Sequence, residues 1–212
     1  YTYFSSKNIP VEVVTSNNTP EKTDSTLKIE FSGKIGKAFM RGSSWDLDLE
    51  NSMTLPLENT AIYTNSGSRI GIIFPDRSII RLDANSNISI QKGKEGNIII
   101  SLEKGRLWAR IIGQAWGNWK VVISLGGYQA LIQWTSVEAI KLPLLSKYTV
   151  LDSSSMSWSE SSGIDVTDSS GVINHLKPEN KLIGTEFGEV IVRPININDL
   201  YKNDAFALMN TQ

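Results

Sequence analysis

Apolar and polar residues alternate with period two along most of this chain. Leu27, Ile29 and Phe31 alternate with Lys28, Glu30 and Ser32, and Trp45, Leu47 and Leu49 alternate with Asp46, Asp48 and Glu50. The rhythm returns at Thr60–Thr64, at Ile70, Ile72 and Phe74, at Ile80 and Leu82, at Ile88 and Ile90, and at Ile98, Ile100 and Leu102. Side chains two residues apart lie on one face of a strand, so each run predicts a strand with one buried face. Between the runs stand Pro75-Asp76-Arg77-Ser78, Asp83-Ala84-Asn85-Ser86 and the loop Lys92–Asn97, and Gly105 separates Leu102 from Arg106–Ile112. Pro, Asp, Asn, Ser and Gly are turn formers for distinct stereochemical reasons. Short strands at this spacing predict an all-β fold: a roll, a sandwich or a solenoid.

The two ends of the chain have a different character. Residues 1–26 are polar and carry Pro10 and Pro20, which predicts a linker ahead of a β domain over 27–195. Tyr1, Tyr3 and Phe4 open that linker. Aromatic residues sit at membrane interfaces, so the expectation is a linker following a removed membrane anchor or signal. The segment NINDLYKNDAFALMNTQ offers Asn198 or Asp204 as a helix cap, and a short helical tail is expected over 196–212.

Composition narrows the chemistry. Hydrophobic residues make up 40% of the 212, charged residues 20%, and the net charge is -1. The basic excess that a nucleic-acid interface needs is missing. No run is long and apolar enough to span a bilayer. With no cysteine, disulfides, thiolate nucleophiles and cysteine-ligated zinc are excluded. His175 is the single histidine, read as a polar residue near a hairpin turn. A Ser-His-Asp triad would have to use it, yet no G-x-S-x-G elbow accompanies it. Asp46, Asp48 and Glu50 share a strand face, which does not wrap a calcium ion as a loop does. No cofactor, no metal and no catalytic residue is expected.

TNSGSRIGIIFPDRSIIRLDANSNISI, followed by IIISLEKGRLWARI, resembles the FecR domain. The matching positions are Asp76, Ser78, Arg81, Leu82, Asn85, Ser86, Leu102, Gly105, Arg106, Trp108, Ala109 and Arg110. The resemblance extends over Gly33 to Ile140. Arg77 and Trp134 stand where the family has glycine, and a glycine there serves positive φ, so both turns are expected to be shaped differently. The resemblance implies an extracytoplasmic, non-catalytic domain, periplasmic or at the cell surface. Classical members are membrane-anchored relays between an outer-membrane transporter and a cytoplasmic sigma factor.

Arg106, Trp108 and Arg110 alternate with Leu107, Ala109 and Ile111 and form the candidate partner-binding face, extended by Trp116 and Trp119. Arg and Trp dominate binding hot spots. The expected partner is a protein of the cell envelope, in signalling or as an assembly scaffold, or a second copy of the chain. The rival reading is a carbohydrate-binding module or glycan-acting enzyme, in which Trp134 and Tyr128 join these rings as stacking surfaces.

Overall fold

The computed structural model describes residues 26–31, 38–41, 46–57, 60–94, 97–112, 120–132, 136–141, 149–154, 163–177, 180–184 and 190–194. They form strands of two sheets that share one member. The first sheet runs β4 (Thr54–Pro56), β1 (Thr26–Phe31), β6 (Ile70–Ile73), β7 (Ile79–Leu82), β9 (Ile98–Arg110), β12 (Ser136–Lys141), β13 (Thr149–Ser154), β16 (Asn180–Gly184) and β17 (Val190–Pro194). The second runs β3 (Asp46–Asp48), β2 (Ala38–Arg41), β5 (Thr60–Thr64), β8 (Asn87–Lys92), β9 again, β10 (Val121–Leu125), β11 (Tyr128–Ile132), β14 (Ile164–Thr167) and β15 (Ile173–Leu176). Every pairing is antiparallel except that of β9 with β10. The predicted all-β class is the observed one. The helix expected over 196–212 lies outside the described residues, as do residues 1–25 of the expected linker.

The alternation seen in the sequence becomes continuous rows of buried side chains. In the second sheet one row joins Ile90, Ile100, Ile123, Ala130 and Val166 through directly opposed pairs, each wholly buried. In the first sheet a row joins Ile70, Leu82, Leu107 and Ala139, also wholly buried. Both rows belong to one core. The layers meet closely: a Cβ added at Gly184 of β16 would come within 2.3 Å of the Tyr128 ring on β11. Burying one Ile side chain contributes about 1.5–3 kcal/mol, so these rows dominate the stability of the domain.

β9 binds the layers together. Its residues 98–104 pair with β8, and residues 105–110 pair with β12. The sequence reads as two runs separated by Gly105. The chain instead continues as one strand of 13 residues that leaves one sheet and enters the other, a known way to build a corner between sheets. Gly105 makes the bend possible. It takes φ +92, and a Cβ there would lie 2.5 Å from the Cα of Ser86. Glu103 is the extra residue of a bulge, because Asn87 opposes Lys104 while Ile88 opposes Leu102.

From β10 onward the chain lays down hairpins in alternate sheets. The hairpin β10–β11 lies in the second sheet, β12–β13 in the first, β14–β15 in the second and β16–β17 in the first. Each hairpin after β10–β11 and β12–β13 adds to the edge of the hairpin two before it. Among the described residues the stack ends in β15 and β17.

Candidate functional site

The segment around Ser66–Ile90 carries few reactive groups because its polar residues hold turns. Ser86 is 1% exposed. Its Oγ donates to the Arg106 carbonyl at 3.1 Å and accepts from the Arg106 N–H at 3.0 Å, which clamps the β9 corner. The Thr64 hydroxyl donates to the Asp83 carbonyl at 2.6 Å and accepts from the Ser86 N–H at 3.0 Å. Asp76 accepts from the N–H and the hydroxyl of Ser78, both at 2.8 Å, and the Ser78 Oγ accepts from the Ile112 N–H at 3.0 Å. Arg69 and Asp83 close the far end of the β6–β7 hairpin with an ion pair at 2.7 Å. Backbone groups buried in turns need such partners.

Arg77 keeps the left-handed conformation that a glycine would favour. Its N–H bonds to the Phe74 carbonyl, the Phe74 N–H bonds to the Ser78 carbonyl, and Arg77 has φ 67. This is a three-residue hairpin loop, a type I turn followed by one left-handed residue. The expectation of a differently shaped turn fails here, because the strands on either side dictate the geometry. Trp134, the other departure, lies outside the described residues.

The candidate face sits on the outer side of the first sheet. Leu107 and Ala109 point into the core and are wholly buried, which turns Arg106, Trp108 and Arg110 outward. Arg110 is exposed and Arg106 half-buried, yet Trp108 is only 6% exposed. The expected open face is therefore covered at its centre. Arg81, directly opposite on β7, places its guanidinium 5.3 Å from the Trp108 ring centroid, within cation–π range. Burial pulls the Arg81 guanidinium below its ordinary pKa, the direction desolvation imposes on a cation. Two strands away from Trp108, Gly71 opposes Arg81 and puts no side chain in the way. Arg81 was legible as a motif residue. Its role against Trp108 was not, because 26 intervening residues of chain separate them in sequence.

Trp116 and Trp119 lie outside the described residues. Tyr128, read as a stacking ring, is 3% exposed and belongs to the core. His175 faces Asp165 across the β14–β15 hairpin, with Nδ1 and Oδ1 2.8 Å apart, in an exposed pair. Asp48 and Glu50 are exposed. Among the described residues no group of acids and histidine is disposed to hold a metal ion, and no helix is long and apolar enough to cross a membrane.

Residues 60–142 match the family described as FecR protein. No curated protein matches the chain. Among solved structures, two of a putative anti-sigma factor from Parabacteroides distasonis ATCC 8503 are similar. The 1.65 Å structure gives a TM-score of 0.52 at 12% identity, covering 64% of this chain and 60% of that one. The 2.50 Å structure gives 0.53 at 12% identity, covering 68% and 64%. The likeness is one of fold, and this chain spans less than two thirds of that protein's length.

Proposed function

We propose that this chain is the non-catalytic, extracytoplasmic binding domain of a cell-envelope signalling protein. The observation that supports the reading most is the FecR domain over residues 60–142; the fold shared with an anti-sigma factor agrees with it. The proposed partner is a protein, recognised by the outer face of the first sheet. There Arg106 and Arg110 flank Trp108, and Arg81 stiffens the ring from β7. A buried aromatic floor with cations at its rim suits protein recognition. A sugar-stacking role fits less well, because Trp108 is buried and Arg81 sits over its ring.

The test reverses charge at the rim without touching the floor. Arg106→Glu with Arg110→Glu, in the full-length protein in its own cells, is expected to reproduce the transcript changes caused by deleting the gene. Lys120→Glu, at an exposed position outside the face, is expected to leave them at wild type. If deletion alters no transcripts, the signalling reading is wrong. If deletion alters them and the double reversal does not, the face is wrong.

A further inference from the structure

Beyond Trp108 the outer face of the first sheet carries two rows of directly opposed residues. Ala139 of β12 and Leu182 of β16 are wholly buried, and Val190 of β17 packs against the core. Residues alternate in face along a strand, so Ile140, Lys181, Ile183, Ile191 and Arg193 lie outside. The register runs one outer row from Ile140 through Val150 of β13 to Ile183 and Ile191, and every member is apolar and β-branched. Ile140 and Ile183 are half-buried, and Ile191 is 41% exposed. On the same four strands the neighbouring row holds Glu138, Asp152, Lys181 and Arg193. Lys181 is half-buried and Arg193 exposed.

The order of these charges is two acids followed by two bases. Within one chain Asp152 opposes Lys181, but Glu138 opposes Asp152 and Lys181 opposes Arg193. Like charges placed directly opposite destabilise a sheet, and a second copy relieves both pairs. A two-fold axis along the strands, between β13 and β16, exchanges β12 with β17 and β13 with β16. It sets Glu138 and Asp152 of each copy against Arg193 and Lys181 of the other. It also lays the apolar row on its own counterpart, Ile140 against Ile191 and Val150 against Ile183. A patch that complements itself in this way is what a two-fold interface requires, and the aligned strands match a common packing of sheet on sheet. β9, next to β12, falls beyond the other copy's β17, so Arg106 and Arg110 stay clear of the contact.

We infer that two copies of the chain associate face to face through β12, β13, β16 and β17. Strands stand about 4.8 Å apart, so the patch is about 20 Å wide. That is the small end of specific interfaces, and sedimentation equilibrium at about 100 μM suits it. The full chain is expected to be a dimer there. Lys181→Glu with Arg193→Glu leaves four acids in the row, and Glu138→Lys with Asp152→Lys leaves four bases. Each variant alone is expected to associate at least about a hundredfold more weakly, since like charges then meet across the interface. An equimolar mixture of the two is expected to recover the dimer. Like charges still oppose each other within each variant chain, so recovery comes only from contacts between copies. A wild-type chain that stays monomeric overturns the inference, as do variants that dimerise unimpaired or a mixture that stays monomeric. If circular dichroism shows either variant unfolded, Ile191→Glu, a single change at an exposed position, takes its place. An unimpaired dimer then overturns the inference, and a lost dimer with the fold retained upholds it. Neither Arg106 nor Arg110 is on these four strands, so this test and the signalling test fail independently.

Discussion

Two hairpin loops in this molecule share one backbone solution, and they sit in regions of very different packing. In the β6–β7 loop, Arg77 N–H bonds to Phe74 O and Phe74 N–H to Ser78 O; in the β14–β15 loop, Gly171 N–H bonds to Asp168 O and Asp168 N–H to Val172 O. The left-handed residue is Arg77 at φ 67 in the first and Gly171 at φ 84 in the second. Around the first loop, buried Ser78 ties the turn to Ile112 at 3.0 Å, and buried Ser86 ties the next turn to β9. Around the second, Asp168 bonds within its own loop, to the Ser170 N–H at 2.9 Å and hydroxyl at 2.6 Å and to the Val172 N–H at 3.0 Å, all exposed. The same local geometry is anchored to the core in one place and is self-contained in the other. Tertiary anchoring lets the first loop tolerate a side chain where the second uses glycine.

The largest expected effects break the anchored region. Gly105→Ala combines positive φ with a clash against the Ser86 backbone, and is expected to lower stability by about 5 kcal/mol, read by urea unfolding. Trp108→Ala removes a buried ring and is expected to lower it by about 3–5 kcal/mol. A loss under 1 kcal/mol would mean that the ring is dispensable to the fold. Ser86→Ala removes the hydroxyl that accepts from the Arg106 N–H at 3.0 Å and donates to the Arg106 carbonyl at 3.1 Å, while the Asp83 N–H still donates to that carbonyl. An expected loss of about 2–3 kcal/mol would separate a structural clamp from a spectator.

A smaller effect sharpens the contrast between the loops. Arg77→Gly is expected to relieve strain and raise stability by up to about 1 kcal/mol, and Gly171→Ala to lower it by about 1–2 kcal/mol. Open space surrounds Gly171, so its penalty is backbone strain alone. Equal signs for the two would refute the shared geometry. The smallest effect concerns pH. Hydrogen bonds from the Ser170 hydroxyl, and from backbone N–H groups after it, hold the Asp168 carboxyl below its ordinary range. A carboxyl depressed by folding contributes stability above its unfolded pKa, about 3.9, and loses it as pH falls through the lower folded value. The stability difference between the wild type and Asp168→Asn is therefore expected to shrink in acid, with wild type losing its advantage.

The strands, their inward faces and most turns were legible in the linear pattern, because period-two alternation is a local consequence of pleat geometry. Ile70, Ile72, Ile80, Leu82, Ile88, Ile90, Ile100 and Leu102 were all read as inward residues and all are buried. The turn residue Asp76 was legible for the same reason, since its bonds go to nearby Ser78; Asn85 and Ser86 were legible as turn formers, but the bonds of Ser86 to Thr64 and Arg106 were not. What tertiary structure alone decided is which strands meet. Nothing local announces that β9 serves both sheets, since Gly105 reads as an end to a strand until Ser86 is found beside it. Nothing local announces that Trp108, at an outward position, lies under Arg81, or that Arg77 is forced to positive φ by the two strands it joins. Alternation names the face a residue takes within its own strand. Whether that face is covered depends on strands distant in sequence, and so does the exposure of Val192 one step beyond buried Leu182.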